Sequence, residues 1–456
     1  MGYSVNEEAL IIIKVCDSWY KNKEIADFHK RNNLSGREIH LSRMNFAKRG
    51  CADDANLCEI VSVVPEKENA AQEFIESLFE ESRFEVQYRK QLEKTSATGT
   101  AGAYVYLKSA DFIEYGEDKA KVSGGDIRIN YCDADSIIPL TIENDLVTEC
   151  AFCASGRVKG KIKTTLVTFT LENNLYKADT VIFDHSGKIE EEGSIQLGEI
   201  KPFAIMTNAE VNNLEDMEGY GLPKIYNSIP VFKALDLCYN ILYGDLDKGE
   251  KLVFLNEVLA EVKTREDGTY MLTPQQKDLF ILLGEKLPDQ DILIKEYTPE
   301  IRVEDITKVF ELLLSLLSMS FGYGTKKYTF ENGKITTATE YIGEKQDSMQ
   351  ELNKQRKNAE DYITDIVRAA MWFSNQFHGT SYNLEEGLSI EFDDSYIEDK
   401  TAKLEQMRAD ALSFPEIPWL TREYIKEKYN LSDEEVEKYI SEGKEAMEPD
   451  KPEEEE

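Results

Sequence analysis

Hydrophobic positions along this chain recur with two periods, and the period changes near residue 100 and again near residue 228. From Val5 to about Arg31, from Arg43 to Ile60 and from 66 to 94, apolar residues return every three or four positions. That spacing predicts helices that bury one face. Asn32-Asn33 and Ser35-Gly36 separate the first two as a loop. Between about 100 and 206 the period falls to two. AYVYLK, DIRINYC, DLVTECAF, KTTLVTFTL and DTVIFD read as strands, with turns at Ser123-Gly124-Gly125, Asn173-Asn174 and Ser186-Gly187. No crossover helix fits between them, which predicts antiparallel pairing.

Helical spacing returns at Ser228, an N-cap candidate with Pro230 in the first turn, and runs to about Leu246 through Val231, Leu235, Cys238 and Leu242. Residues 250–300 read as a small mixed insert. It has strands near LVFL and in DILIKEY, a turn at Asp267-Gly268, and a short helix after Thr273-Pro274. A second helix spans Val303 to Ser320, its C-terminal half apolar on most faces. Thr337 and Glu340 then form a capping box. From Ala338 a seam spaced alternately by four and three residues runs through Ile342, Met349, Leu352, Ala359 and Ile363 to Phe377. A helix that long, roughly 60 Å at 1.5 Å per residue, exceeds what one small domain buries and favours partner subunits; a coiled-coil dimer is the alternative. Past Gly379 come a strand, SIEFDD, a helix from about Glu398 to Leu412, a Pro-interrupted turn and a helical hairpin from Thr421 to Glu442. The tail EPDKPEEEE is charged and expected to be disordered.

Composition narrows the function classes. The chain has 456 residues, 41% of them hydrophobic, which suits a globular body of two or three domains. Its 87 acids against 53 bases argue against a broad surface that grips nucleic acid. They leave room for one that nucleic acid slides past. The apolar runs LIIIKV and VFELLLSLLSMSF fall short of a membrane span. No signal peptide is expected, since the N-terminus lacks a basic flank and a small-residue cleavage site. Seven irregularly spaced cysteines suit reduced thiols in a cytoplasmic setting.

Most of the chemistry on offer is incomplete. Cys150-Ala-Phe-Cys153 is one CxxC without a second ligand pair. His29, His40, His185 and His378 stand alone, and no G-x-S-x-G is present. Asp393-Asp394 and Asp133/Asp135 are carboxylate pairs in a chain full of carboxylates. No catalytic residue, metal ligand or cofactor site is assigned, and the chain is not expected to be an enzyme. The exception is FGYGTKKYTFENGKITTATEYI, residues 321 to 342. GYGTKK lacks the strand before and the Ser or Thr after that a Walker loop needs. Across residues 322–336, Lys326, Lys327 and Lys334 nevertheless face a single acid, Glu331, with Tyr323, Tyr328 and Phe330 interleaved and Gly322, Gly324 and Gly333 loosening the backbone. Such a loop can touch phosphates and offer aromatic faces.

Four stretches in order resemble the portal proteins of tailed bacteriophages, of the siphophage type. DADSIIPLTIENDLVTECAF (133–152) is similar to a strand pair of that family, with an Asp where the family has Gly. KPFAIMTNAEVNN followed by GYGLPKIYNSIPVFKALDLCYN (201–240) resembles its Pro-Phe strand, linker and helix. ITTATEYI (335–342) resembles the entry into its long helix, and SIEFDDSYIEDK (389–400) the strand before its C-terminal helices. The resemblance covers roughly residues 100 to 412. It implies an α+β portal-like subunit: residues 1–220 as wing (β-rich over 100–206), 221–249 and 302–321 as a two-helix stem, and 250–301 as a small α/β clip. Residues 322–336 would be the tunnel loop, 337–396 a long kinked or coiled helix with a wing strand, 397–443 a helical crown, and 444–456 an acidic tail.

It further implies a homo-oligomeric ring, usually dodecameric, at one capsid vertex of the virion, assembled in the host cytoplasm. The implied partners are the terminase large subunit, the head–tail adaptor, the major capsid and scaffolding proteins, and double-stranded DNA in the channel, with no membrane. On that placement Lys326, Lys327, Tyr328 and Lys334 are the candidates for DNA contact. Two other readings stand beside this one: a structural coiled-coil or scaffold protein without a DNA role, and a metal-dependent nuclease using the carboxylates.

Overall fold

A computed structural model describes residues 5–32, 36–66, 69–108, 125–247, 249, 300–330, 338–392, 400–414, 417–429, 436 and 438, with residues 111–115 and 120–123 and short strands between 252 and 297 as backbone. It is a mixed helix and strand protein. The chain divides into two compact units, residues 1–390 and 391–456.

The N-terminal helical pattern is cut into shorter pieces than its spacing predicts. Helix α1 (Glu7–Tyr20) starts where the Asn6 side chain accepts the Ala9 N–H at 3.1 Å. It stops before Asn22, at φ 53°. The chain then makes α2 (Ala26–His29) and a hairpin of β1 (Lys30–Asn32) and β2 (Glu38–His40) instead of one helix to Arg31. The reason lies in packing: Trp19 and His29, one on each side of the break, meet with ring centroids 5.4 Å apart and bury together near Phe232. Helix α3 (Phe46–Asn56) ends four residues early, and Ile60 opens β3 (Ile60–Pro65). The pattern over 66–94 yields two helices, α4 (Asn69–Ser82) and α5 (Phe84–Thr98), broken at Arg83 with φ 50°. That break lets Phe79 and Phe84 stack with centroids 4.0 Å apart.

The strands follow as β4 (Thr100–Lys108), β5 (Asp111–Tyr115), β6 (Ala120–Ser123), β7 (Asp126–Asp133), β8 (Ile137–Glu143), β9 (Leu146–Val158), β10 (Lys161–Glu172), β11 (Leu175–Phe183), β12 (Ile189–Gln196) and β13 (Phe203–Thr207). They form an antiparallel sheet β12-β11-β10-β9-β8 and a second, β13-β4-β7, with β5 and β6 as a separate pair. Three of the hairpins carry positive φ at both turn residues: Asn144-Asp145, Lys159-Gly160 and the expected Asn173-Asn174. This is the turn whose twist matches paired strands. Between the sheets Phe152, Phe169 and Phe203 meet at 5.6–6.0 Å and are almost fully buried.

Gly99 caps α5 at φ 83°, and a Cβ there would lie 2.0 Å from the Gly221 carbonyl oxygen. Its own carbonyl accepts the Asn208 N–H at 2.9 Å. Gly99→Ala should therefore cost about 2 kcal/mol or more, read as a lower urea midpoint with an unchanged slope.

Helix α6 (Lys224–Asp247) begins four residues before the sequence expectation. Ser228 is not its N-cap. The Ser228 hydroxyl lies 3.1 Å from the Lys224 carbonyl and 3.0 Å from the Ser320 hydroxyl, inside the helix pair. Pro223 precedes the first turn, and Pro230 leaves only the Tyr226 carbonyl without its helical donor. In the insert, β14 (Leu252–Asn256) pairs with β17 (Phe280–Leu283) in parallel and β18 (Ile294–Tyr297) antiparallel, and β15 (Lys263–Thr264) pairs with β16 (Tyr270–Met271). The turn expected at Asp267-Gly268 and the helix expected after Pro274 lie outside the described residues.

Helices α7 (Val303–Ser320) and α8 (Ala338–Phe377) have the predicted bounds. The capping residue expected at Thr337 lies outside the described residues. From Glu351 onward α8 finds much of its burial within its own chain. Leu352, Ala359, Ile363, Ile366, Ala370 and Phe373 are buried within the same chain, where the helix packs on β13, β4 and β7. Strand β19 (Leu388–Phe392) pairs with β3, covering the SIEF part of the expected strand. In the second unit α9 (Lys400–Ser413) and α10 (Pro418–Tyr429) pack on each other. The second helix of the expected hairpin and the acidic tail lie outside the described residues, Val436 and Lys438 excepted.

Candidate functional site

The segment after α7 starts with a tightly specified stop. Gly322 takes φ 77°, the Gly322 N–H donates to the Met319 carbonyl at 3.0 Å, and the Tyr323 N–H donates to the Ser318 carbonyl at 3.0 Å. This pair of bonds is a Schellman cap, which needs a left-handed residue after the helix. Phe321 drops its ring onto Gly50 of α3, where any Cβ would sit 2.5 Å from the ring. The Tyr328 N–H donates to the Ser318 hydroxyl at 2.9 Å, bending the chain back toward the helix end.

Two tyrosines then fix the segment to α3. The buried Tyr323 hydroxyl donates to Asp54 at 3.0 Å, and the Tyr328 hydroxyl donates to Asp53 at 2.9 Å. Asp53 also accepts from the Arg49 Nε at 2.9 Å. Asp54 in turn receives the Lys224 ammonium at 2.7 Å, and Glu351 of α8 lies 2.9 Å from the same ammonium as an ion-pair contact. Lys224 is fully buried at the first residue of α6, where the helix dipole disfavours a cation. Burial lowers the Lys224 pKa, but the Asp54 and Glu351 carboxylates outweigh it and hold the net value above the usual lysine range. Burial, then the neighbouring Asp54, pushes the Tyr323 hydroxyl well up; burial, then Asp53, does the same for Tyr328. Both therefore stay protonated donors. The network joins α3, α6, α8 and the segment after α7 at one buried point.

Against that frame the four sequence candidates separate. Lys326 is exposed between the two anchoring tyrosines. Lys327 is half-buried, its ammonium 5.5 Å from the Tyr323 ring centroid. Tyr328 is half-buried and points its hydroxyl inward to Asp53, so it anchors the segment. The exposed aromatic is Phe330, its ring tilted on Phe310 with centroids 5.5 Å apart. Lys334 lies outside the described residues. Asp53, Asp54, Lys224 and Glu351 escaped the sequence reading, because four charged residues on three helices share no spacing that periodicity can detect.

The helix pair that carries the segment is amphipathic on both sides. On α7, Ile306, Phe310, Leu314 and Leu317 are buried and the helix packs on α6, with Cys238 Sγ 3.8 Å from the Ile306 carbonyl oxygen. Val309, Leu312, Leu316 and Met319, spaced by three, four and three, lie on the opposite side and are 41–61% exposed. At the insert end Arg302 makes two hydrogen bonds to Asp245, at 3.0 and 2.9 Å.

The other sequence candidates are structural in their surroundings. Cys150 and Cys153, three apart on β9, face opposite sides of the sheet and cannot share a ligand. His29 is buried; its Nδ1 accepts the Ile25 N–H at 2.9 Å, so its Nε2 carries the proton and donates to Asp236 at 3.1 Å. Asp133 faces Lys94 at 3.3 Å. Asp393 and Asp394 lie outside the described residues. Among the described residues no cluster of three His, Cys, Asp or Glu side chains is placed to hold a metal ion. No helix among them is long and apolar enough to cross a membrane. No protein-family model matches the chain, and no curated protein matches it.

Proposed function

We propose that this chain is the portal subunit of a tailed bacteriophage, a ring-forming conduit through which double-stranded DNA enters and leaves the capsid. The observation that carries the reading is the α6–α7 pair. One stripe of α7 packs on α6, while a second stripe of four large apolar side chains is left for another surface. The same helix ends in a braced turn that displays Lys326. Burying such a stripe stabilises association by about 1–2 kcal/mol per side chain, and a head-to-tail contact repeated by rotation closes a ring.

In this reading α6 and α7 are the stem, the insert between them is the clip, and residues 322–336 are the tunnel loop. Residues 1–220 with α8 form the wing, and the helices after 397 the crown. The clip docks the terminase large subunit during filling and the head–tail adaptor afterwards, and the wing meets major capsid and scaffolding proteins. A net charge of −34 suits the task. A basic lining holds DNA by counterion release, whereas repulsion keeps it centred and mobile. A few lysines at the narrowest point then steady the duplex.

Light scattering and negative-stain imaging of the purified chain test this directly. A closed ring with a central hole is expected, and a stable dimer at every concentration overturns the reading. Changing Lys326, Lys327 and Lys334 together to Ala should leave the ring intact and reduce packaged DNA several-fold. Packaging at the normal level would show these lysines to be merely solvated.

A further inference from the structure

A second basic element lies beside the braced segment and has no part in the reading above. Between His29 and Gly50 this acidic chain carries Lys30, Arg31, Arg37, Arg43, Lys48 and Arg49 against Glu38 alone. Outside residues 33–35 the backbone of this stretch is held in place by hydrogen bonds. Lys30 pairs with His40 and Arg31 with Ile39 across the β1–β2 hairpin, and the Leu41 N–H donates to the His29 carbonyl at 2.8 Å. Residues 42–44 are strapped to α6. Ser42 exchanges two hydrogen bonds with Asn240, at 2.9 and 2.8 Å, and the Met44 N–H donates to Asp236 at 2.8 Å. Phe46 then lies 6.3 Å from Phe310, which touches Phe330, and Arg49 shares Asp53 with Tyr328. The basic stretch therefore runs along the helix pair into the segment that displays Lys326.

We infer that residues 30–32 and 36–49 form a contact surface for the phosphate backbone of duplex DNA, continuous with the loop after α7. The chemistry favours a polyanion over a protein. All six residues of β1 and β2 are exposed, and Ile39 is the one large apolar side chain among them. A protein interface needs a buried apolar centre with anchors, whereas phosphates need only placed charges. Part of the charge is already met within the chain, by Lys30–Glu38 at 3.9 Å, by Lys48–Glu93 and by Arg49–Asp53 at 2.9 Å, and Arg37 also has an interaction there. The surface is accordingly one of weak contact, which suits DNA in motion. This surface deepens the conduit reading and rests on it for the identity of the polyanion.

The test uses the full chain, a fluorescent DNA duplex and a salt titration read by anisotropy. The variant carries Arg31→Gln, Arg37→Gln and Arg43→Gln, all exposed; Arg49 is left intact because Asp53 and Tyr328 depend on it. Thermal unfolding and light scattering should match the wild type. DNA affinity at low salt should fall at least ~tenfold, and the slope of log K against log salt should fall by about 3, since each phosphate contact contributes about 0.9. Unchanged affinity and slope would overturn the surface while leaving the ring and its loop untouched. Displacement of the duplex by an equal charge concentration of polyglutamate would also overturn it, pointing to an acidic protein. A chain that forms no ring but whose DNA binding still drops in the variant would sink the conduit reading and keep the surface.

Discussion

Replacing Lys224 with Met is expected to destabilise the first unit by about 3–5 kcal/mol, because removing one partner leaves buried charge uncompensated. The Asp54 and Glu351 carboxylates both face the Lys224 ammonium, at 2.7 and 2.9 Å, in a place with almost no solvent. A methionine fills the volume but cancels neither charge. The loss should appear as a lower urea midpoint. Adding Asp54→Asn and Glu351→Gln to the methionine variant should recover a large share of it, since a neutral buried site of similar shape is tolerated. A methionine variant with the wild-type midpoint would show that the network carries no stability. The same pair predicts an alkaline limit. Lys224 has its folded pKa raised above the ordinary 10.5, so its contribution is complete below that value and is lost as pH climbs through the higher folded value. Lys224→Met should lack that part of the alkaline loss.

The second large effect concerns assembly. Leu312→Glu with Leu316→Glu places two carboxylates in the middle of the outer stripe of α7, where the two leucines are 61% and 41% exposed. Neither leucine is among the residues buried against α6, so the isolated fold should keep its helix content and unfolding temperature. The proposed ring should then fail to form, leaving monomer in light scattering, because two charges per interface would have to be desolvated in every subunit contact. Ring particles that survive the double substitution would show that α7 does not form the contact. Leu314→Glu serves as the contrast: buried against α6, it should unfold the helix pair instead.

How much was legible before the structure varies element by element. Helices Val303–Ser320 and Ala338–Phe377 emerged with their ends in place, because a strong period and a glycine or capping stop are local properties of the chain. The strands between 100 and 206 and the turn at Asn173-Asn174 are local in the same sense. The N-terminal helices were drawn too long. Asn22 and Arg83 adopt left-handed backbone only because Trp19 and Phe79 gain ring partners from across the break. The start of α6 was misplaced because Ser228, with the chemistry of a cap, serves better as a bridge to Ser320. The seam of α8 is legible in the sequence, but that its later residues lie on β13, β4 and β7 is set by the fold.

The amino-acid sequence alone determined an acidic, mixed helix and strand chain in which a small basic, glycine-flanked segment separates two strong helices. Period, turn chemistry and charge are carried by neighbours within a few residues, and no fold is needed to read them. Only the tertiary structure decided what that segment is made of. It drew Tyr323 and Tyr328 onto Asp53 and Asp54, buried Lys224 between Asp54 and Glu351, and left Lys326 outside. Those pairings join residues 127 to 275 apart along the chain, and the preference for burying a charge only beside its opposite acts through space.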